Sequence, residues 1–460
     1  MSVQQSMQPG HTAPSSPPAS PDAAATADVG GRKSMIGAWV GYFVDLFDIY
    51  LPVVVLAPIM AYFLPETLDA GTTAILGGLL FGATIVARPL GSIIFGWIGD
   101  ALGRKKATII SMYGAAGITL LMAFLPGHAQ IGIAGALLFI ALRLIGGVFL
   151  GGAYTGANPL AMENAPIRKR GLYSALINTG FPLAYAAISL LTLLLLFLIP
   201  ADGPESPYAY WGWRIPFVIG AFMAFLTANY VRREIPESEA FTDTKAKSGT
   251  EKREAPLRRL MRGDTRKTLL QVFLLLSGLW LATQPIAATL PKVLVDDVGL
   301  SARGTTATLV VGYLLLAGMN VLFGLAGQRF GRLPVLITGG VLITVVCSPL
   351  YYILLEFGTG NATIAVAATI AMVAIVVAPF GLMPAYINER FPTSVRASGY
   401  GFAYGASVVL PSFFGVYQAG LGNFMPIQYA TIVLLSVGGL LATIGALWGP
   451  ETRDVDLHAF

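Results

Sequence analysis

Cysteine occurs once, at Cys347, so no intramolecular disulfide can form and cysteine usage carries no statement about redox compartment. Histidine is scarce too: His11, His128 and His458 fall in the N-terminal tail, a loop and the C-terminus, which excludes a histidine relay through the molecule. Charge is the third shortage. Only 12% of the 460 residues are charged while 55% are hydrophobic, and mean hydropathy is +0.70; a soluble domain is about 25% charged. A water-soluble enzyme or nucleic-acid-binding domain is thereby excluded, and the chain reads as an integral membrane protein. The formal charge of +5 does not reopen the nucleic-acid reading, because the basic residues gather at one set of ends of the apolar runs.

What the chain has in abundance is apolar runs of roughly 20 residues, each long enough to cross a hydrocarbon core ~30 Å thick. Twelve membrane helices are expected, near 34–62, 72–98, 107–126, 131–157, 172–199, 212–231, 268–290, 304–326, 333–356, 361–387, 397–420 and 427–448. Basic clusters mark alternate loops: Arg32/Lys33, Arg104/Lys105/Lys106, Arg168/Lys169/Arg170, the stretch from Arg232 to Lys267, Arg329/Arg332 and Arg390/Arg396. The intervening loops carry almost none, Lys292 and Arg303 being the main exceptions, so the positive-inside rule places both termini in the cytoplasm. Residues 1–31 lack the basic start and apolar core of a signal peptide and read as a disordered cytoplasmic tail. The polar stretch 232–266 divides the helices into an N-terminal bundle, 32–231, and a C-terminal bundle, 267–450, followed by a short cytoplasmic end, 451–460.

Two aspartates break the first apolar run, GAWVGYFVDLFDIYLPVVVLAPIMAYF. Of the 24 acidic residues, Asp45 and Asp48 are the only ones expected at mid-membrane, and a spacing of three puts them on one helix face. Charge at that depth costs roughly 2.5–3.5 kcal/mol per residue on insertion scales, so it normally has a function and a partner. Partners exist at matching depth. Arg88 precedes Asp100 by 12 residues and Asp45 follows Lys33 by 12, which puts each about 18 Å along its helix from the basic end, at ~1.5 Å per residue.

The chain also repeats itself. GWIGDALGRKK from Gly96 recurs as GLAGQRFGRLP from Gly324, an offset of 228, and Glu163, Pro166 and Arg170 recur with the same spacing as Glu389, Pro392 and Arg396, an offset of 226. Six-helix halves related in this way are the layout of transporters that bind solute between halves and rock to give alternating access. These residues resemble the major facilitator superfamily, whose signature G-x-x-x-D-x-x-G-R-[KR] is filled by Gly96, Asp100, Gly103, Arg104 and Lys105. Within it the chain is similar to the metabolite:proton symporter family, in ARPLGSIIFGWIGDALGRKK, RLIGGVFLGG, APIRKRGLYS, WRIPFVIGAF, REIPESEAF and PAYINERFPTSVRASGYG. The resemblance implies an all-α fold of twelve helices in two pseudo-symmetric bundles. Three positions depart from it: Asp45 stands where the family usually has Glu, Ala153 where the fourth helix usually has Glu, and Gln328 where the first signature copy has Asp100.

The resemblance also suggests roles. In related proton-linked sugar porters an Arg placed as Arg143 is, 20 residues before Glu163, pairs with a first-helix Asp that Asp48 matches, so Asp45, Asp48, Arg88 and Arg143 are the expected proton-coupling cluster. Gly96, Asp100, Gly103, Arg104, Glu163, Arg170, Gly331, Arg332, Glu389 and Arg396 are the expected cytoplasmic gate, whose pairs break when that side opens. Tyr154, Asn158, Asn178, Gln284, Tyr313 and Tyr386 are candidates to contact solute, Gln284 foremost because Pro285 beside it frees a backbone carbonyl. Tyr50 and Pro52 are read as kinking and packing the first helix, and the glycine-rich stretches GGVFLGG and GYGFAYG as sites of close helix contact. They lack the Lys-Ser/Thr ending of a nucleotide loop, so no nucleotide, cofactor or metal site is expected.

The expected function is proton symport of a small organic solute, a mono- or dicarboxylate, into the cell across a bacterial inner membrane by a monomeric protein. A proton-driven exporter or antiporter is the main alternative. Its usual fifth-helix pattern Gly-x-x-x-Gly-Pro-x-x-Gly-Gly is not met by INTGFPLAYAAISLL. A non-transporting sensor would need a larger output domain than 232–266 or 451–460 provides. An enzyme would need a nucleophile and base at one depth, and none is apparent.

Overall fold

The computed structural model describes residues 21–65, 67–102, 104–153, 157–201, 203–234, 260–392 and 395–457. Among them there is no strand, and ten helices are long and apolar enough to cross a membrane. The first helix is Pro21–Leu56, the second Ala70–Leu102, the fourth Ala134–Ala153, and the fifth runs as Arg170–Asn178 and Gly180–Leu198. The sixth is Arg214–Glu234, the seventh Gly263–Ala288, the eighth Ala302–Phe330 and the twelfth Ala430–Leu447. The ninth continues from Arg332–Leu342 through a π-turn into Ser348–Phe357, and the tenth from Ala362–Val376 through a tight turn into Met383–Arg390.

The other two expected spans take different forms. The third is the helix Arg104–Met122, whose apolar part, Lys106–Met122, is short. The eleventh is broken into Arg396–Ser407 and Phe414–Leu421 because Pro411 supplies no N–H to continue the ladder. The first helix also starts earlier than its expected boundary, since Pro21 suits a first helical position and the alanines after it favour helix.

Local chemistry sets the ends. The Ser301 side chain accepts from the Gly304 N–H at 3.0 Å to start the eighth helix, and Asn361 accepts from the Ile364 N–H at 3.2 Å to start the tenth. Gly331, at φ +104°, makes the reversal between the eighth and ninth helices that an L side chain would resist. Leu190, Leu194, Phe197, Phe222, Leu322 and Leu447 are all more than half exposed, the apolar exterior a chain presents to lipid.

Packing sorts the helices into two sets. The second lies on the fourth, the third on the sixth and the first on the fifth, while the seventh and ninth lie on the twelfth and the eighth on the tenth. The sets meet where the fifth crosses the eighth and the second crosses the eleventh. Small residues permit the closest approaches, as expected when no hydrophobic force separates helix from lipid. A Cβ on Gly147 would overlap the Thr84 carbonyl, and one on Gly91 the Val148 carbonyl. This contact holds the second and fourth helices, and so Arg88 and Arg143, at their working separation.

Gly147→Leu should therefore lose folded protein altogether, since overpacking costs typically 1–3 kcal/mol or more and here the obstruction is backbone. Gly41→Ala, where a Cβ meets nothing within 4 Å, should melt at or above the parent temperature. Thermal melting of the purified proteins in detergent checks both.

Candidate functional site

Asp45 and Asp48 each meet an arginine from a different helix. The Arg88 guanidinium donates to Asp45 Oδ2 at 2.5 Å, and Arg143 Nη1 lies 3.6 Å from Asp48 Oδ2. Thr119 of the third helix donates to Asp48 Oδ1, and Thr84 donates to the Arg143 carbonyl at 3.0 Å. Two acids and two bases form a cluster of zero net charge in the first set of helices. An unpaired charge at this depth would be severely penalised, and neutral pairing is what makes the cluster tolerable.

Beside this cluster, between the two sets, lies a narrow cavity. The first helix contributes Tyr42, Leu46, Ile49 and Tyr50, the second Ile85 and Arg88, and the seventh and eleventh Trp280 and Tyr404, with Gly401 and Gly405 beside them. The Tyr42 and Tyr404 hydroxyls meet at 3.0 Å across it. The cavity is closed on both sides. Toward the non-basic end, a Cβ on Gly82 would sit 2.8 Å from the Ser412 carbonyl and one on Gly78 3.2 Å from Gly415. Tyr185 stacks on Tyr313 with ring centroids 3.7 Å apart.

The basic end is closed by ion pairs that cross between the repeats. Arg396 Nη1 donates to Glu163 at 2.6 Å, and Arg170 Nη1 to Glu389 at 3.4 Å, so each motif's acid takes the other motif's arginine. Glu389, 2% exposed, also accepts from Arg332 Nη2 at 3.1 Å and Nε at 3.2 Å. Gln328, at the position where the first signature copy has Asp100, accepts from the Gly171 N–H at 2.9 Å and Arg332 at 3.1 Å, keeping an acceptor there without a charge. The side chains of Gly96, Asp100 and Arg104, and all of Gly103 and Tyr154, lie outside the described residues.

A C-terminal strap completes this closure, and sequence reading passed it over as a short end. The Glu451 carboxylate accepts from the Arg332 N–H at 2.8 Å and the Leu333 N–H at 3.0 Å at the start of the ninth helix. Thr452 donates to Glu389 at 2.7 Å, the Val455 carbonyl accepts from Arg170 at 2.9 Å, and the Leu457 carbonyl from Arg396 at 3.0 Å. Leu457 itself, 1% exposed, is buried in a cluster with Ala38, Met162, Tyr173 and Ala385. Burial opposes ionisation of Glu451, but the N–H groups of Arg332, Leu333, Arg453 and Thr452 outweigh it and hold its pKa below the ordinary value.

The expected solute contacts fare differently. Asn158, Asn178, Gln284, Tyr313 and Tyr386 do not line the cavity. Asn158 donates to the Tyr400 hydroxyl at 3.0 Å across the two sets, and the Asn178 carbonyl faces the Asn320 amide at 3.5 Å. Tyr386 lies elsewhere. It sits near the basic end, bonded to Gln271 at 3.1 Å, within the second set of helices. Gln284 is fully buried, one turn beyond Trp280, with neither amide atom partnered among the described residues. The cavity walls include instead Tyr50 and part of GYGFAYG, both read as packing alone; a tyrosine inside an apolar run gives no sign of which face it takes.

The family model for the Major Facilitator Superfamily matches residues 38–416. The chain is 30% identical over 435 residues to the inner membrane metabolite transport protein YhjE of Escherichia coli, covering 93% of this chain and 96% of that one. It is 29% identical over 398 residues to the ectoine/proline transporter ProP of Corynebacterium glutamicum, covering 82% and 76%. The crystal structure of a D-xylose-proton symporter superposes with a TM-score of 0.68 at 17% identity, covering 91% of this chain and 98% of that one, which shows a shared fold.

The crossed pairs predict coupling. Glu163→Gln and Arg396→Gln should each lower the melting temperature, Arg396→Gln more because the Leu457 carbonyl loses its donor as well. The double variant should melt well above the additive expectation, by the roughly 0.5–3 kcal/mol typical of contacting residues. Glu451→Gln should lower the melting temperature at pH 7. Because the folded-state pKa is depressed, its contribution is complete above the unfolded carboxylate value, and the gap to the parent should close as pH falls through the folded value. Melting scans across acid pH read it.

Proposed function

The chain belongs to the Major Facilitator Superfamily, and from that membership we propose that this metabolite transporter of many membrane spans carries a small organic carboxylate into the cell together with a proton. The observation that carries the reading is the neutral Asp45, Asp48, Arg88 and Arg143 cluster, whose Arg88 forms part of the wall of a cavity closed at both ends. A carboxylate solute would take the Arg88 guanidinium while a buried acid takes the proton, so that no charge is left unpaired at mid-membrane. Gln284 offers a buried amide, both of whose atoms lack a partner among the described residues, to a solute that widens the cavity.

Alternation follows from the two closures. Opening at the non-basic end separates the Gly78–Gly415 contact; opening at the basic end breaks the Glu163–Arg396 and Glu389–Arg170 pairs. Gly96, Asp100, Gly103, Arg104, Gly331 and Arg332 belong to this second gate. Empty carriers return once Arg88 has its carboxylate partner again. The placement of basic loops supports cytoplasmic termini and a cell inner membrane location, and the protein acts as a monomer.

One observation favours a second reading of the solute. Tyr42, Tyr50, Trp280 and Tyr404 give the cavity four aromatic walls, which suit a cationic nitrogen through the ring faces. A zwitterion would use them together with Arg88. The transporter named for ectoine and proline is a relative that carries solutes of that kind in its name.

In proteoliposomes with a pH dye inside and no imposed gradient, external carboxylates, betaines, aromatic acids and sugars are added in turn. Acidification of the lumen by a carboxylate or a betaine is the expected outcome and selects between the two solutes. Absence of proton flux with every solute, from folded protein, overturns symport.

A further inference from the structure

Asp45 and Asp48 are chemically alike but differently held, and we infer that Asp45 alone takes up and releases the proton, while Asp48 and Arg143 form a permanently charged clamp on the kink of the first helix. The inference rests on the symport reading and divides its labour. Pro52 lies inside the first helix and has no N–H, so the carbonyl four residues earlier, that of Asp48, loses its helical donor. Arg143 replaces it. Nη1 donates to the Asp48 carbonyl at 3.1 Å and Nη2 to the Ile49 carbonyl at 2.8 Å, two successive carbonyls at the kink.

The same guanidinium is 1% exposed and has Asp48 as its counter-charge at 3.6 Å. Protonating Asp48 would leave a buried cation facing only dipoles, held in place by the Asp48 and Ile49 carbonyls. Both Asp48 oxygens are occupied, Oδ1 by Thr119 and Oδ2 by Arg143, and neither residue lines the cavity.

Asp45 is held by one oxygen. Its Oδ2 meets Arg88 at 2.5 Å, while Oδ1 is buried and without a partner among the described residues, an open position for a proton. Arg88 lines the cavity, so it has a second anion to turn to when Asp45 is neutralised. The charges balance at each stage: Asp45 carboxylate with Arg88 sums to zero, and protonated Asp45, Arg88 and one solute carboxylate also sum to zero. No bond to carbon changes; one proton moves onto Oδ1 and one guanidinium exchanges its anion. Among the described residues, the groups that face Asp45 include Arg88 on the second helix, Tyr42 and Asp48 on its own, and, beyond Tyr42, Tyr404 on the eleventh. The fifth helix presents Tyr185 to Tyr50, one turn further along. The family resemblance would place coupling at Asp48 and Arg143; the geometry places it one turn earlier.

Infrared difference spectra of the purified protein at pH 6, with minus without the carboxylate or betaine that acidifies the lumen in the dye assay, test the assignment well above the range of solvated carboxylates, which titrate at about 4. A carboxylic-acid C=O band should appear in the parent when that solute is added, persist in Asp48→Asn and vanish in Asp45→Asn. Loss of the band in Asp48→Asn, its persistence in Asp45→Asn, or its absence from the parent overturns the inference. If Asp45→Asn does not fold, the Asp48→Asn spectrum still decides. The clamp has its own measurement: Arg143→Gln should lower the melting temperature sharply, and by less in a Pro52→Ala background, where the substitution restores the N–H that the Asp48 carbonyl lacks. An equal drop in both backgrounds overturns the clamp. Failure of symport is read separately, as absence of solute-driven proton flux in the dye assay; symport that survives Asp45→Asn refutes only the assignment.

Discussion

A charge removed from water needs an opposite charge within reach, and most of this protein's specific structure satisfies that requirement. Arg88, Arg143, Arg170, Arg332 and Arg396 are each set against a carboxylate carried by another helix. Apolar surface alone would let these helices slide or rotate, since lipid is as good a partner for leucine as another helix is. The ion pairs fix depth and rotation, because a pair displaced by one turn leaves both members stranded.

Those pairs depend in turn on close backbone approach. Gly91 and Gly147 bring the second and fourth helices together at the level of the cluster, and Gly171 and Gly324 do so for the fifth and eighth at the basic end. Glycine here serves as absence of volume. Where the eleventh helix is not needed for close packing, Gly401 and Gly405 leave space instead and become cavity wall.

The depth of the charges was legible in the sequence because helical rise is constant: 12 residues from a basic marker locate Arg88 and Asp45 at one level, and they meet. Ten of the twelve expected spans were legible for a similar reason, length against bilayer thickness. What the pairs do was not. The crossing of Glu163 to Arg396 and Glu389 to Arg170 was hidden because a symmetric repeat allows pairing within or between copies equally well. The clamp at Pro52 required knowing that Arg143 faces carbonyls as well as a carboxylate. The break at Pro411 was smoothed over by an apolar run that continues through it.

The last described residues give Arg170 and Arg396 the Val455 and Leu457 carbonyls, and Leu457 is seated against both halves of the repeat. An affinity tag or fluorescent reporter fused shortly after Leu457 would hang from that seat. The choice of which terminus bears the handle is thus an experimental variable in its own right: a label at the carboxyl end pulls on the closure it is meant to report.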